Sequence, residues 1–362
     1  MIDLPKFKIG NLEINLIQGG MGVGISLRNL ASAVANSGGA GTIASVGIGL
    51  LKGYPGSYIR ANQDAFRDEI RATRRMSNGV IGVNIMYALT DYEDLIKVAI
   101  EENVDFIISG AGIAKNLPKF VGDKNICLVP IVSDIRSANI ITYAWSRYNK
   151  VPDAFIVEGP DAGGHLGFNY EALVTGTVPS LEKIAKEVIG FVNDRKNFRN
   201  PVPVIVGGGI YTGGDIRKAY EKWEATGVQI ATRFVTTREC DADYGFKQAY
   251  LNAKKEDIQI IKSPLGLPGR AIINPFLERV RKGEKRNINC RYSCLKTCDP
   301  SKSPYCIANA LISAQKGGLD NGFAFAGTNA YRAKLESGLD AEGKLSSVKT
   351  LMERISDEYY PS

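Results

Sequence analysis

Eight short apolar runs recur through the first 232 residues, and they constrain the fold more than any other feature of the sequence. The runs are Leu16–Gly19, Gly41–Ser45, Val80–Ile85, Asp105–Gly110, Cys127–Val132, Ala154–Gly159, Pro203–Gly208 and Gly227–Thr232. Their Val, Ile and Leu residues are mostly consecutive and do not alternate with polar ones, as in parallel strands that are buried on both faces. The sequence therefore predicts eight strands of a parallel sheet.

Helical patterns separate most of these runs, and several begin with a Ser, Thr or Asp at the N-cap position. The predicted helices are Ser26–Ser37, Tyr58–Met76, Thr90–Glu102, Asp134–Tyr148, Ser180–Asn193 and Thr212–Thr226. Eight β-α units within about 235 residues match a closed (β/α)8 TIM barrel. A doubly wound open sheet is the competing fold. We favour the barrel because open sheets of this length usually contain fewer strands.

The rest of the chain, after the eighth strand, is too long to be a single closing helix. We expect residues 1–232 to form the barrel, residues 233–325 a lid or second domain, and residues 326–362 a C-terminal segment that closes on the barrel. Further helices are predicted over Tyr244–Ala253, Ile307–Gln315 and Leu345–Ile355. The Gly- and Pro-rich stretch Ser263–Arg270 is predicted to be a loop.

The charge of the chain is mildly positive, with 45 Lys and Arg against 38 Asp and Glu, and the excess is spread along the sequence. No run of like charges indicates a nucleic-acid or anionic-membrane partner. No stretch approaches the roughly 18–20 apolar residues of a membrane helix. The first six residues show no basic region leading into an apolar core, so no secretory signal is visible. We expect a cytoplasmic protein that acts on a small molecule.

In a (β/α)8 barrel the active site is built from the loops that follow the strands, and phosphate sites commonly lie after strands seven and eight. Gly207–Gly209 follow the seventh strand and leave backbone N–H groups uncovered, just before a helix whose N-terminus carries partial positive charge. Thr232 follows the eighth strand and adds a hydroxyl donor. These residues predict a phosphate site. The alternative is that the three glycines only allow a tight turn.

His165 is the only histidine of the chain, and it follows two glycines at the end of the sixth predicted strand. Imidazole titrates near neutral pH, so a histidine at the mouth of a barrel is a candidate proton donor or acceptor. Gly163 and Gly164 would let the backbone approach a flat ligand. A capping or packing role for His165 is the alternative.

These motifs together resemble the nitronate monooxygenase family, also called 2-nitropropane dioxygenase-like, which includes flavin-dependent enoyl-ACP reductases. The matching stretches are 18–22 (QGGMG), Asn84, 158–165 (EGPDAGGH), 203–210 (PVIVGGGI), 227–234 (GVQIATRF) and the loop 263–270. The resemblance covers roughly residues 10–275, and the AGGH stretch is its most specific part. The sequence departs from the family pattern at Asp161, where Glu is usual, and at Ala231, where Gly is frequent.

The resemblance implies FMN, bound without a covalent bond across the mouth of the barrel. The residues that it assigns to the cofactor are Gly20, Met21, Asn84, Glu158, Gly163, Gly164, Gly208, Gly209, Ala231 and Thr232. It also implies that His165 is the catalytic residue beside the substrate.

Three functions are compatible with this pattern. The first is oxidation of alkyl nitronates with O2 by an FMN-dependent enzyme. The second is an NAD(P)H-dependent flavin reductase of the enoyl-ACP type. There the loop Ser263–Arg270 and a basic patch at Arg279, Arg281 and Lys282 would meet the phosphates of phosphopantetheine or of a nucleotide, unless the basic residues only line a solvated helix face. The third is a non-redox phosphate-binding barrel or an electron-transfer subunit.

Four of the six cysteines, Cys290, Cys294, Cys298 and Cys306, lie within 17 residues and outside the family motifs. They suffice for a tetrathiolate iron–sulfur or zinc site, although their spacing fits neither a zinc ribbon nor a ferredoxin. A helix would place the first three on one face, whereas a break at Cys298-Asp299-Pro300 would let a loop wrap around a metal. Buried reduced thiols and a redox-active pair are the alternatives to a metal.

Overall fold

Eight parallel strands form a closed barrel in the computed structural model, which describes residues 3–290, 292–336, 339 and 343–360. The strands are Ile17–Gln18, Gly41–Ala44, Ile81–Met86, Phe106–Gly110, Cys127–Val132, Phe155–Glu158, Val204–Gly207 and Gly227–Ile230. Each pairs with its neighbours in chain order, and the eighth pairs with the first. A parallel bridge between Ile17 and Ala40 then joins the first strand to the start of the second. The (β/α)8 barrel is therefore confirmed, and the open sheet is wrong.

Helices cover the outside of the barrel, and all six that were predicted between the strands are present. The helices that follow the eight strands are Arg28–Asn36, Tyr58–Met76, Tyr92–Glu101, Leu117–Val121, Ile135–Ser146, Leu181–Asn193, Gly213–Trp223 and Val348–Tyr359. Two of them begin with complete capping boxes, at Asp134 and at Thr212. None of the helices in the described part of the chain is both long and apolar enough to cross a membrane.

An N-terminal hairpin closes the bottom of the barrel, which the sequence analysis did not predict. Its strands are Phe7–Ile9 and Leu12–Ile14, and their apolar side chains pack with the inward-facing residues of the barrel. A Cβ on Gly227 would lie 2.5 Å from the ring of Phe7. Only glycine therefore leaves room for this ring, and the hairpin seals the end of the barrel that lies opposite the strands' carboxyl ends.

The chain between the eighth strand and its helix forms a further layer, which we call the inserted layer. It contains two apolar clusters. Its helices are Tyr244–Asn252, Pro275–Arg281, Ile307–Gln315 and Ala333–Glu336, with short 3-10 turns at Lys255–Asp257 and Thr328–Arg332. Two strands, Ile258–Lys262 and Pro268–Ile272, pair with each other, and the second also pairs with Gly164–His165 in the loop after the sixth barrel strand. The loop prediction for Ser263–Arg270 is therefore wrong for residues 268–270, because Pro268 and Gly269 lie in a short antiparallel strand.

The last helix returns to the barrel and is held there by an ion pair. Val348–Tyr359 packs beside the first and seventh barrel helices, so the returning chain completes the outer ring. Both guanidinium NH groups of Arg233 donate to the carboxylate of Glu358, at 2.6 and 2.7 Å. Arg233 is 0% exposed and Glu358 is 31% exposed, so the pair is largely shielded from water.

We expect Glu358→Ala to lower the free energy of unfolding by about 2 kcal/mol, because it leaves the buried Arg233 charge without its carboxylate. This value is below the roughly 3–5 kcal/mol of a fully buried pair, since Glu358 is partly solvated. Urea denaturation measures the change. Glu353→Ala on the same helix, whose partner Lys349 is 81% exposed, is the matched control and should change stability little. An equal loss in both variants would contradict the assignment.

Candidate active site

A cavity opens at the end of the barrel where the strands' carboxyl ends meet the inserted layer. Its volume is about 250 Å3. A smaller cavity of about 50 Å3 adjoins it, and Glu158, Gly163, Gln229, Ala231 and Thr232 line both. The structure brings all the sequence-predicted flavin and catalytic residues to these two cavities. The larger one contains Gly20, Met21, Asn84, Glu158, Gly163, Gly164, His165, Ala231 and Thr232, and the smaller one adds Gly208 and Gly209.

The ends of the first and third strands meet at one wall of the larger cavity. A Cβ on Gly20 would lie 2.4 Å from the Cβ of Asn84, so only glycine allows this approach. The carboxamide of Asn84 forms no hydrogen bond with the protein among the described residues. It therefore presents both a donor and an acceptor to the cavity.

The smaller cavity is a cradle made by the loop after the seventh strand. Gly208 and Gly209 have φ values of 84° and 103°, which side chains rarely adopt. A Cβ on Gly208 would lie 2.9 Å from the carbonyl oxygen of Gly159. Thr232 Oγ1 accepts from the N–H of Gly327 at 3.2 Å, and its own proton remains available to a ligand. The glycines thus keep the cradle open for a small anionic group.

The first residues of the helix after this loop do not line the smaller cavity, and side chains already pair with two of their N–H groups. The N–H of Gly213 donates to the carboxylate of Glu358 at 2.9 Å. The N–H of Asp215 donates to the side chain of Thr212, and the Asp215 carboxylate accepts from the N–H of Thr212. These carboxylates already compensate the positive end of the helix dipole. The loop amides and Thr232 are therefore the remaining candidates for phosphate binding.

Gln229 is a site residue that the sequence analysis missed. It lies on the eighth strand in the wall shared by both cavities, and its Oε1 atom is buried without a hydrogen-bond partner among the described residues. A buried acceptor of this kind costs free energy unless a donor reaches it. A ligand N–H group or a water molecule would satisfy it. Its inward position on a barrel strand was the only signal in the sequence.

His165 is fixed by two residues of the inserted layer. Its Nε2 lies 2.7 Å from Oγ of Ser263, and its ring packs edge-on against Phe325 with the centroids 4.9 Å apart. The N–H of Leu265 donates to the same Oγ at 3.3 Å. If the Ser263 hydroxyl donates to Nε2, Nδ1 carries the imidazole proton. Phe325 was not predicted as a site residue, and Ser263 was considered only as part of a loop that would meet phosphates in a reductase.

Burial lowers the pKa of His165 to about 4. The cationic form would lose hydration in this apolar surrounding, and no carboxylate contributes to the shift. His165 is therefore a neutral imidazole at physiological pH. It can donate a hydrogen bond or accept a proton, but it does not provide a positive charge.

A sequence model of nitronate monooxygenase matches residues 5–340. The chain belongs to the nitronate monooxygenase family. It is therefore a flavin-dependent oxidoreductase, as the AGGH stretch and the glycine loops led us to expect. The matched region includes every strand of the barrel and most of the inserted layer.

One curated relative and two solved structures illustrate the similarity. "Probable nitronate monooxygenase" of Staphylococcus aureus (strain Newman) is 26% identical over 313 residues, which are 76% of this chain and 79% of the relative. The structure of FabK from Thermotoga maritima superposes with a TM-score of 0.75 and 25% identity, covering 97% of this chain and 94% of FabK. Nitroalkane oxidase from Streptomyces ansochromogenes shares the fold, with a TM-score of 0.71, 19% identity and 96% coverage of both chains.

The two departures from the family pattern lie at the cradle. The Asp161 carboxylate accepts from the hydroxyl of Thr328 at 2.9 Å, so the shorter side chain is paired with the inserted layer. Ala231 lines both cavities, and its Cβ is 3.0 Å from the position that a Cβ on Gly19 would take. The extra methyl group of Ala231 is therefore accommodated by a glycine opposite it.

The inserted layer supplies the apolar roof of the larger cavity. Phe246, Leu295, Ile307 and Leu311 line it, together with the thiol of Cys294. The described residues from 284 to 306 form no helix, so the placement of three sulfurs on one helix face is wrong. No three His, Cys, Asp or Glu side chains in the described residues converge where one metal ion could bind. Cys127 and Cys240 are buried elsewhere.

Glu158 ends the sixth strand and faces both cavities, with no hydrogen bond to the protein among the described residues. Burial alone raises its pKa to about 7. The folded state thus binds a proton that the unfolded state releases at lower pH. As the pH rises from the pKa that Glu158 has in the unfolded chain to about 7, ionisation of this residue therefore makes the folded protein progressively less stable than it is at low pH.

We expect Glu158→Gln to raise the free energy of unfolding of the flavin-free protein by about 2 kcal/mol at pH 8, because the glutamine has no buried charge. At pH 5 the gain should be well below this value, since the folded wild-type protein is then protonated at Glu158. Urea denaturation at the two pH values measures the difference. Glu182→Gln, on an exposed helix face, is the control. A gain of the same size at both pH values would contradict the titration.

Proposed function

We propose that the chain binds FMN across the two cavities and oxidises alkyl nitronates with O2. The fit of the cofactor is supported by the shape and chemistry of the site. The larger, mostly apolar cavity suits a flat ring system, and the smaller one, next to it, suits a phosphate. Gly208, Gly209 and Thr232 would hold the phosphate, and the unpaired Oε1 of Gln229 would accept from a ring N–H.

When bound, the flavin supplies a two-electron acceptor that O2 can reoxidise. The chain contributes the positions of the reacting groups and the exclusion of water. The imidazole of His165 would hydrogen-bond to an oxygen of the nitronate, and Ser263 and Phe325 keep the ring in place. The single observation that carries the proposal is this imidazole, held by Ser263 at the wall of a cavity that the family motifs line.

Oxygen uptake by the FMN-loaded protein tests the proposal directly. We expect turnover with the 2-nitropropane anion or with propionate-3-nitronate, and no uptake with neutral 2-nitropropane at the same concentration. Free FMN in place of the enzyme is the control. Absence of uptake with both nitronates, by a protein that retains FMN, would contradict nitronate oxidation.

An NAD(P)H-dependent reductase of the enoyl-ACP type is the second candidate, and the similarity to FabK together with the large apolar cavity supports it. The predicted basic patch supports it less, because Arg279 pairs with Glu284 at 3.2 Å and Arg281 with Glu278 at 3.3 Å. Anaerobic stopped-flow absorbance separates the two candidates. Fast bleaching of the flavin by NADH and reoxidation by an enoyl thioester would favour the reductase, and fast bleaching by a nitronate would favour the first proposal.

Membership of the nitronate monooxygenase family argues against the third hypothesis, a phosphate-binding barrel without redox activity, because the family consists of oxidoreductases. An electron-transfer subunit would differ from both candidates in being inactive alone with nitronates and with NADH. The same stopped-flow experiment therefore tests it.

A further inference from the structure

The cysteine loop, residues 290–306, is docked against the barrel beside the larger cavity. The N–H of Thr90 donates to the carbonyl of Cys294 at 3.2 Å, and the N–H of Lys296 donates to the carbonyl of Ala88 at 2.9 Å. These bonds surround an antiparallel bridge between Leu89 and Leu295. The loop is thus attached to the segment that follows the third barrel strand, and Cys294 reaches the cavity wall.

The four thiols of this loop are reduced, half-buried and close to one another. None of them forms a disulfide. Cys294 lies near enough to the other three thiols of the loop to interact with them electrostatically. Cys306 interacts in the same way with Cys290 and Cys298. Four neighbouring thiols that do not pair suit a set of ligands better than a redox couple, because a couple needs only two.

A backbone N–H group points at one of these sulfurs. The N–H of Ser293 donates to Sγ of Cys290 at 3.4 Å. Cys306 is the N-cap of the helix Ile307–Gln315, and its sulfur forms no capping hydrogen bond. Amide hydrogen bonds to ligating sulfurs stabilise the negative charge of thiolate-bound clusters and tune their potential.

A single ion and a cluster make different demands on the spacing of four cysteine sulfurs. A tetrahedral zinc site with bonds of about 2.3 Å requires its sulfurs about 4 Å apart. No three metal-binding side chains of the described residues converge in that way, which argues against one bound ion. A cluster of several irons and bridging sulfides holds its cysteine ligands further apart, so the same finding does not argue against a cluster.

We propose that Cys290, Cys294, Cys298 and Cys306 ligate an iron–sulfur cluster that lies directly beside the flavin cavity. The proposal does not rest on the identity of the substrate. It places the cluster between the cavity, which Cys294 lines, and a small surface pocket of about 150 Å3, which Cys306 lines with Arg286 and Asn309. The cluster therefore lies where it can be reached from both sides.

Metal analysis of the full-length protein, purified without oxygen and reconstituted with ferrous iron and sulfide, tests the proposal. We expect about two or four irons per chain with an equal amount of acid-labile sulfide, and an electron paramagnetic resonance signal after reduction with dithionite. Iron without sulfide, one zinc per chain in place of iron, or no bound metal after reconstitution would each overturn the proposal.

Single cysteine variants locate the ligands. Cys298→Ser and Cys290→Ser should lose most of the iron and sulfide while they keep FMN and the cooperative unfolding transition. Cys127→Ser and Cys240→Ser remove buried thiols elsewhere and should keep the wild-type iron content. Full iron content in both loop variants would overturn the assignment. Because the wild-type metal analysis is decisive by itself, a loop variant that fails to fold does not weaken the test.

Discussion

His165→Ala is expected to lower kcat for nitronate oxidation by about 10³-fold while the protein keeps its FMN. The magnitude follows from the usual contribution of one positioned proton-transfer or hydrogen-bonding group, about 10²–10⁴-fold. The cofactor should remain because its proposed contacts belong to other residues, and because Gly164, beside His165, contributes only backbone. Steady-state oxygen uptake and the absorbance of bound flavin measure the two quantities.

The pH dependence and one matched variant make this prediction specific. Since His165 has a pKa of about 4, the wild-type profile should show no ionisation of this residue between pH 5.5 and 9. Ser263→Ala removes the partner of Nε2, together with the acceptor of the Leu265 N–H, and should lower kcat by about tenfold, because the imidazole loses its fixed orientation. A His165→Ala variant with wild-type kcat would remove the imidazole from the reaction. Equal losses in both variants would assign the effect to Ser263 instead.

The barrel itself could be predicted from the sequence because its strands are buried on both faces. Continuous apolar runs are needed there, and the fifth strand, Cys127–Val132, has the predicted bounds. Long helices with clear periodicity were equally well determined, as Tyr58–Met76 and Ile307–Gln315 show. In these elements the apolar pattern along the chain and the burial of the same residues in the folded protein agree, so the pattern alone predicts the element.

The elements that sequence analysis missed are those whose stability comes from distant contacts. The hairpin strands Phe7–Ile9 and Leu12–Ile14 have three residues each and form because the barrel interior buries them. The strand Pro268–Ile272 begins with Pro and Gly, which normally indicate a loop, and it is stabilised by pairing with Gly164–His165. That pairing brings Ser263 to His165, so the missing strand and the missing site residue have the same cause.

The candidate site could be predicted where single loops form it, and not where separate segments meet. The glycines of the cradle were visible because their motif is local. The occupied helix N-terminus was not, since Glu358 reaches Gly213 from a position 145 residues later in the chain. The unpaired oxygen of Gln229 likewise depends on which neighbours surround it in the folded barrel.

Gly208→Asp is expected to abolish FMN binding, with a rise in Kd of at least about 100-fold. Two physical effects act together. The backbone at residue 208 has a φ of 84°, and a Cβ there would lie 2.9 Å from the carbonyl oxygen of Gly159, so the loop must move. The new carboxylate would also stand where the cradle receives a phosphate, and like charges repel strongly in a half-buried site. Fluorescence titration of the flavin-free protein with FMN measures Kd.

Two glycine variants separate these effects. Gly208→Ala introduces the strained backbone without the charge, so its Kd should lie between those of the wild-type protein and Gly208→Asp. Gly214→Asp adds the same carboxylate in the first turn of the following helix, where a Cβ has no neighbour closer than 3.7 Å, and should bind FMN normally. If Gly208→Asp retained stoichiometric FMN, the phosphate would have to be held elsewhere. If Gly214→Asp lost the cofactor as well, general repulsion and not the cradle would be the cause.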